Sequence, residues 1–109
     1  MEPISIDDFK KVEIRVGEIV SAEKIEGSEK LLKLKVNFAT EERQVLSGIA
    51  AFFQDPTELV GKRCLFVTNL APRMMMGLES QAMIMATGGD GETPFVLFET
   101  TAAPGSSVR

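Results

Sequence analysis

The chain has 109 residues, 44% of them hydrophobic, with 12 basic and 16 acidic side chains for a net charge of −4. That describes one folded domain with a single small core, and no apolar run approaches the length of a membrane span. There is no histidine and only one cysteine, Cys64, which removes the usual general base, the Ser-His and Cys-His nucleophile pairs and a typical zinc site.

A lone cysteine in an apolar run gives no disulfide framework and fits a reduced, cytoplasmic setting. No Gly-rich phosphate loop occurs. The expectation is a protein that is not an enzyme and needs no cofactor or metal. An acidic balance argues against a nucleic-acid binder, for which a basic domain is the usual signature. Distribution matters more: Arg109 is the only basic residue after Arg73, and a surface of one sign can focus a field against the average.

Taken in order, the chain opens on a short helix signal, with Ser5 as cap and Asp7 and Asp8 in the first turn. Ile6 and Phe9 are expected to pack back on the core. Val12, Ile14 and Val16 alternate with Glu13 and Arg15, which predicts a first strand over residues 13–25. The apolar parity shifts after Gly17, making it a candidate bulge or barrel bend. Arg15, in mid-strand, reads as half of a structural ion pair.

A turn at residues 26–29 precedes a second strand over residues 31–38. Leu32, Leu34, Val36 and Phe38 share one face; Lys33 and Lys35 share the other, with Lys30 at the strand's start. Those lysines are either a solvated face that blunts edge pairing or a basic patch for a ligand. After a turn at 39–42, a short third strand (43–47) runs antiparallel, and Arg43 is expected across from the lysines. Residues 49–60 read as helical turns, with Asp55 capping a segment whose first position is Pro56. Phe52 and Phe53 read as plugs for a barrel end.

A buried fourth strand (64–70) leads into a loop of residues 69–83, which holds Pro72, Arg73, the run Met74-Met75-Met76, and Gly77. A fifth strand (81–87), a hairpin-type turn (87–92) and a further short strand (95–98) follow. Five short strands with a helical insertion between the third and fourth form the order of the OB-fold barrel, which binds oligonucleotides on its strand face and adjoining loops. A sandwich also fits the strand count.

The runs Phe9 to Gly17, Gly27 to Leu32, Ser47-Gly48-Ile49 and Asn69 to Arg73, then Gly77 with Ser80 to Met83, resemble the tRNA-binding domain family. That family includes stand-alone tRNA-binding proteins and the C-terminal extension of methionyl-tRNA synthetase. The resemblance spans nearly the whole chain, from about Ile6. It implies an OB-fold, a homodimer as in bacterial members, and binding of tRNA by shape, with methionyl-tRNA synthetase as a further partner and no membrane.

On that footing Lys30, Lys33, Lys35 and Arg43 become RNA-facing, and the loop motif carries over Asn69, Arg73, Ser80 and Met83. Recognition by shape needs phosphate and 2′-hydroxyl contacts more than readers of base edges. One departure stands out: relatives commonly carry basic residues where this chain has its methionine run, and missing phosphate contacts lower affinity and flatten its salt dependence. The alternative reading is a protein-binding module, either a chaperone-like dimer or a synthetase dimerisation domain, for which methionine is an adaptable surface residue.

Overall fold

A computed structural model describes residues 1–109. Its frame is a curled sheet with strand order β3-β2-β1-β4-β7. The members are β1 (Ile14–Lys24), β2 (Leu32–Asn37), β3 (Glu42–Ser47), β4 (Arg63–Val67) and β7 (Met83–Ile84), all paired antiparallel. Between β4 and β7 stands a small hairpin, β5 (Arg73–Met75) with β6 (Leu78–Ser80). A second hairpin, β8 (Ala86–Thr87) with β9 (Val96–Leu97), completes the set.

The sheet's edges close on each other. The Gln81 backbone N–H donates to the Gln44 carbonyl at 2.8 Å, and the Gln44 N–H donates to Gln81 Oε1 at 2.9 Å. These bonds join β3 to the segment before β7. The result is a small OB-like barrel, as the strand order predicts. The helical insertion between the third and fourth strands is two 3₁₀ turns, Ala50–Phe52 and Pro56–Leu59, the second capped by Asp55 Oδ1. The C-terminal tail runs along the first half of β1, where the Val16 N–H donates to Ser106 O and the Val108 N–H to Ile14 O, each at 2.9 Å.

The core follows from the period-two pattern. Leu32, Leu34, Val36 and Phe38 are fully buried with Val45, Phe66 and Cys64, and Phe38 meets Phe66 edge to face with ring centroids 5.4 Å apart. Phe53 packs against this cluster, but Phe52 stands outside it, stacked on Phe95 at 4.3 Å. Only one of the two expected plugs is therefore a plug.

Three local expectations are corrected. The β-bulge on β1 lies at Val20, since Ile19 pairs with Val36 and Ser21 with Lys35. Gly17 serves instead for close packing: a Cβ there would lie 2.4 Å from Val36 Cγ1. The N-terminal helix α1 (Ile6–Phe9), capped by Ser5 Oγ accepting from the Asp8 N–H, buries none of its residues. Ile6 and Phe9 are 64% and 46% exposed, because one helical turn against the outside of the barrel does not reach its interior. Finally, the turn between β2 and β3 sets Arg43 opposite Val36, on the inner face rather than the lysine face. No helix is long and apolar enough to cross a membrane.

Candidate nucleic-acid interface

The outer face of β2 carries the basic patch. Lys33 and Lys35 project from it into a groove of about 230 Å³, shared with Ser21 and Glu23 of β1 and Gln44 of β3. Lys33 Nζ pairs with Glu23 Oε1 at 2.8 Å. The hydrogen bond from Lys33 and then its charge, with a further contribution from Lys35, hold the Glu23 carboxyl below its ordinary pKa. An exposed pair of this kind is weak in water, so a phosphate can compete for Lys33. Lys30 is exposed just before β2, and its carbonyl accepts from the Ala50 N–H at 3.0 Å.

Six of the 12 basic side chains stand in ion pairs: Lys11, Arg15, Lys33, Arg43, Lys62 and Arg63. Lys30, Lys35 and Arg73 stand in none. The fold brings Arg73 toward the lysines through a short chain of contacts. Lys33 is opposite Leu46 on β3, the Leu46 N–H donates to Ser80 Oγ at 3.0 Å, and Ser80 is opposite Arg73 in the β5–β6 hairpin. The basic strand and the hairpin are thus neighbours across β3.

The hairpin itself escapes the sequence reading. Its turn is the pair Met76-Gly77, with φ of 51° and 76°. Two consecutive positive φ values are the mark of a type I′ turn, whose usual first residue is asparagine. A methionine there hides the signal. The three methionines divide: Met74 and Met76 are 64% and 57% exposed, while Met75 turns into a cleft between the hairpin and the barrel.

Three of the remaining site candidates, Arg43, Asn69 and Ser80, are bonded within the framework. Arg43 donates to the Thr68 carbonyl at 2.6 Å and the Gln81 carbonyl at 3.1 Å, and pairs with Glu41 at 2.7 Å. Arg15 pairs with the same Glu41 oxygen at 3.0 Å, and both guanidiniums lie against the Phe38 ring, 5.1 Å and 5.7 Å from its centroid. The hydrogen bonds from Arg15 and Arg43 keep Glu41 ionised below the ordinary carboxylate range. Asn69 clamps the segment before β1, its Oδ1 accepting from the Glu13 N–H at 2.8 Å and its Nδ2 donating to Lys11 O at 2.6 Å. Ser80 is 7% exposed; its hydroxyl accepts from Leu46 and lies 3.2 Å from Ala82 O. Met83 is 49% exposed at the mouth of the cleft.

Ser80 is therefore a positioning residue for β6 on β3. Ser80→Ala leaves the buried Leu46 N–H without its side-chain partner and is expected to cost about 1–3 kcal/mol, read as a lower midpoint in urea unfolding. Gln44 and Gln81, which close the barrel beside the lysine groove, are missed by a reading that looks for charge. Their only signal is a polar residue on a short strand. Cys64 offers no chemistry: burial first, then the Glu99 charge, pushes its thiol up to about 11, so it stays protonated.

The family model described as "Putative tRNA binding domain" matches residues 14–107. Among curated relatives, the methionine–tRNA ligase of Caldanaerobacter subterraneus subsp. tengcongensis is 43% identical over 105 residues, which are 96% of this chain and 16% of that enzyme. The chain thus spans about one sixth of the length of the curated ligases it matches. Among solved structures, the MetRS related protein from Pyrococcus horikoshii superposes with a TM-score of 0.91 at 37% identity, covering 100% of both chains. The chaperone CsaA of Bacillus anthracis str. Ames shares the fold at a TM-score of 0.84 and 19% identity, covering 99% of this chain and 100% of its own. The model's match across most of the chain, with its strand order and the ligase likeness, shows that this chain belongs to the tRNA-binding domain family.

Proposed function

We propose that the chain is a non-catalytic module that binds tRNA by shape, through phosphates and ribose hydroxyls rather than base edges. It acts alone as a homodimer or as an appendage of methionyl-tRNA synthetase, where a tethered second contact raises the effective concentration of tRNA. One observation carries this reading: Lys30, Lys35 and Arg73, three basic residues with no acidic partner, gather with the weakly paired Lys33 on neighbouring elements. A field of one sign at that place works against the acidic average of the chain.

Four phosphate contacts give a slope of roughly −3 in log affinity against log salt. A filter-binding titration with bulk tRNA at several salt concentrations checks this. A slope near zero, or no binding at low salt, sinks the reading.

The homodimer rests on a separate surface. Ile6, Phe9, Val12 and Val108 form an exposed apolar face where α1 meets the C-terminal tail, and a second copy of the chain would cover it. Phe9→Asp is expected to convert a dimer to a monomer in size exclusion with light scattering. A dimer that survives the change moves the interface elsewhere. The protein-binding alternative draws on the exposed Met74 and Met76, and it predicts no salt-dependent tRNA binding.

A further inference from the structure

The cleft beneath the β5–β6 hairpin has a composition unlike the rest of the basic surface. It holds about 140 Å³ between β3, the hairpin and β7, and seven of its ten lining residues are hydrophobic, among them Leu46, Met75, Met83 and Ile84. Two of its polar residues differ in their commitments. The Ser80 hydroxyl is consumed by Leu46 and Ala82, whereas Arg73 is exposed and stands in no ion pair.

A cleft of this size is well below the roughly 300–1,000 Å³ of sites for drug-sized ligands. It suits one small, flat, apolar-faced group that carries an anion beside it. The thioethers of Met75 and Met83 are polarisable and favour contact with an aromatic ring. Arg73 supplies a planar, bidentate donor for a phosphate. Lys33, opposite Leu46, adds positive charge on the β3 side. An apolar slot edged by cations matches a nucleotide better than an apolar peptide side chain, which would leave Arg73 without a counter-charge.

We propose that this cleft takes one unstacked nucleobase of the bound RNA, with Arg73 on its adjoining phosphate. The proposal rests on the tRNA-binding reading above and adds to it a contact that duplex RNA cannot make, because splayed-out bases occur in loops and ends. It also gives the methionines a role: Met75 and Met83 take the place that aromatic stacking platforms hold elsewhere.

The test uses the whole chain with its methionine methyl groups labelled with ¹³C. Adenosine 5′-monophosphate is expected to shift the Met75 and Met83 methyl signals by its ring current, and ribose 5-phosphate to leave them in place. In parallel, Ala71→Trp, which fills the cleft from an exposed position, is expected to weaken bulk tRNA about tenfold. Its salt slope and its affinity for a loop-free RNA duplex should stay as in the unaltered chain. Methyl signals that ignore the nucleotide, or that respond equally to ribose 5-phosphate, overturn the proposal, as do signals that move only with an apolar peptide. The methyl experiment needs no variant, so poor folding of Ala71→Trp leaves the proposal open to refutation. Failure of the underlying reading looks different: the unaltered chain then shows no salt-dependent tRNA binding.

Discussion

Gly17→Ala is expected to lower the unfolding free energy by about 2–3 kcal/mol, with the midpoint of urea unfolding reduced and the slope unchanged. The added Cβ would lie 2.4 Å from Val36 Cγ1, 2.7 Å from Phe38 Cε1 and 3.0 Å from Phe66 Cδ1. All three neighbours are fully buried, and a close-packed interior has no room into which they can retreat. Val36 is on β2 and Phe66 on β4, so a side chain at Gly17 would press on both partners of β1 at once. Gly48→Ala is the control, since nothing lies within 4 Å of a Cβ at that position; it should change stability by less than 1 kcal/mol. A loss at Gly17 as small as the control's would mean that the barrel has slack where the packing shows none.

Gly17 also shows how the sequence could be read correctly in outline and incorrectly in detail. The apolar parity of β1 does change between Val16 and Ile19, but pairing with β4 is regular from Ile14 to Glu18, and the extra residue, Val20, comes only after Ile19. A glycine invites assignment as the bulge because its backbone is permissive, whereas here it is the missing side chain that matters. The alternation of β2 was legible because one face is buried and the other wet. Arg43 was misplaced for a related reason. The turn of residues 38–41 sets the register of β3, and a slip of one residue exchanges the two faces of a strand. Opposite Val36, the guanidinium meets Phe38 and Glu41 instead of the lysines.

The loop residues divide in the same way. Asn69 and Ser80 are polar residues in a loop motif, and sequence reading assigns such groups to the ligand. The fold uses them on backbone groups: Asn69 on the exposed Glu13 N–H and Lys11 carbonyl, Ser80 on the buried Leu46 N–H, which must be satisfied. Lys30, Lys35 and Arg73 are exposed and take no such framework role. The family likeness names residues of both kinds together, side chains free to meet a ligand and side chains spent on holding the surface in shape.

That separation leads to the larger expected effect on binding. The double change Lys35→Glu with Arg73→Glu should reduce tRNA affinity by at least about a hundredfold at low salt, and it should flatten the salt slope by roughly 2. Each change removes one phosphate contact and puts a repelling charge in its place. Neither side chain is in an ion pair, and both are exposed, so the fold should keep its stability within about 0.5 kcal/mol. Arg43→Ala should do the reverse. It strips Glu41 of one of its two cations and leaves the Thr68 and Gln81 carbonyls without a donor, so the expected loss is about 2–3 kcal/mol of stability. Its salt slope, measured on the folded fraction, should match the unaltered chain. Filter binding with bulk tRNA across a salt series, alongside urea unfolding of the same preparations, distinguishes the two classes. If Arg43→Ala flattens the slope by roughly 1, the loss of one phosphate contact, Arg43 contacts phosphate and the Arg15–Glu41–Arg43 cluster opens when RNA binds. If the double change leaves both slope and affinity intact, the tRNA face lies elsewhere on the barrel, and the lysines of β2 serve only to keep its outer surface wet.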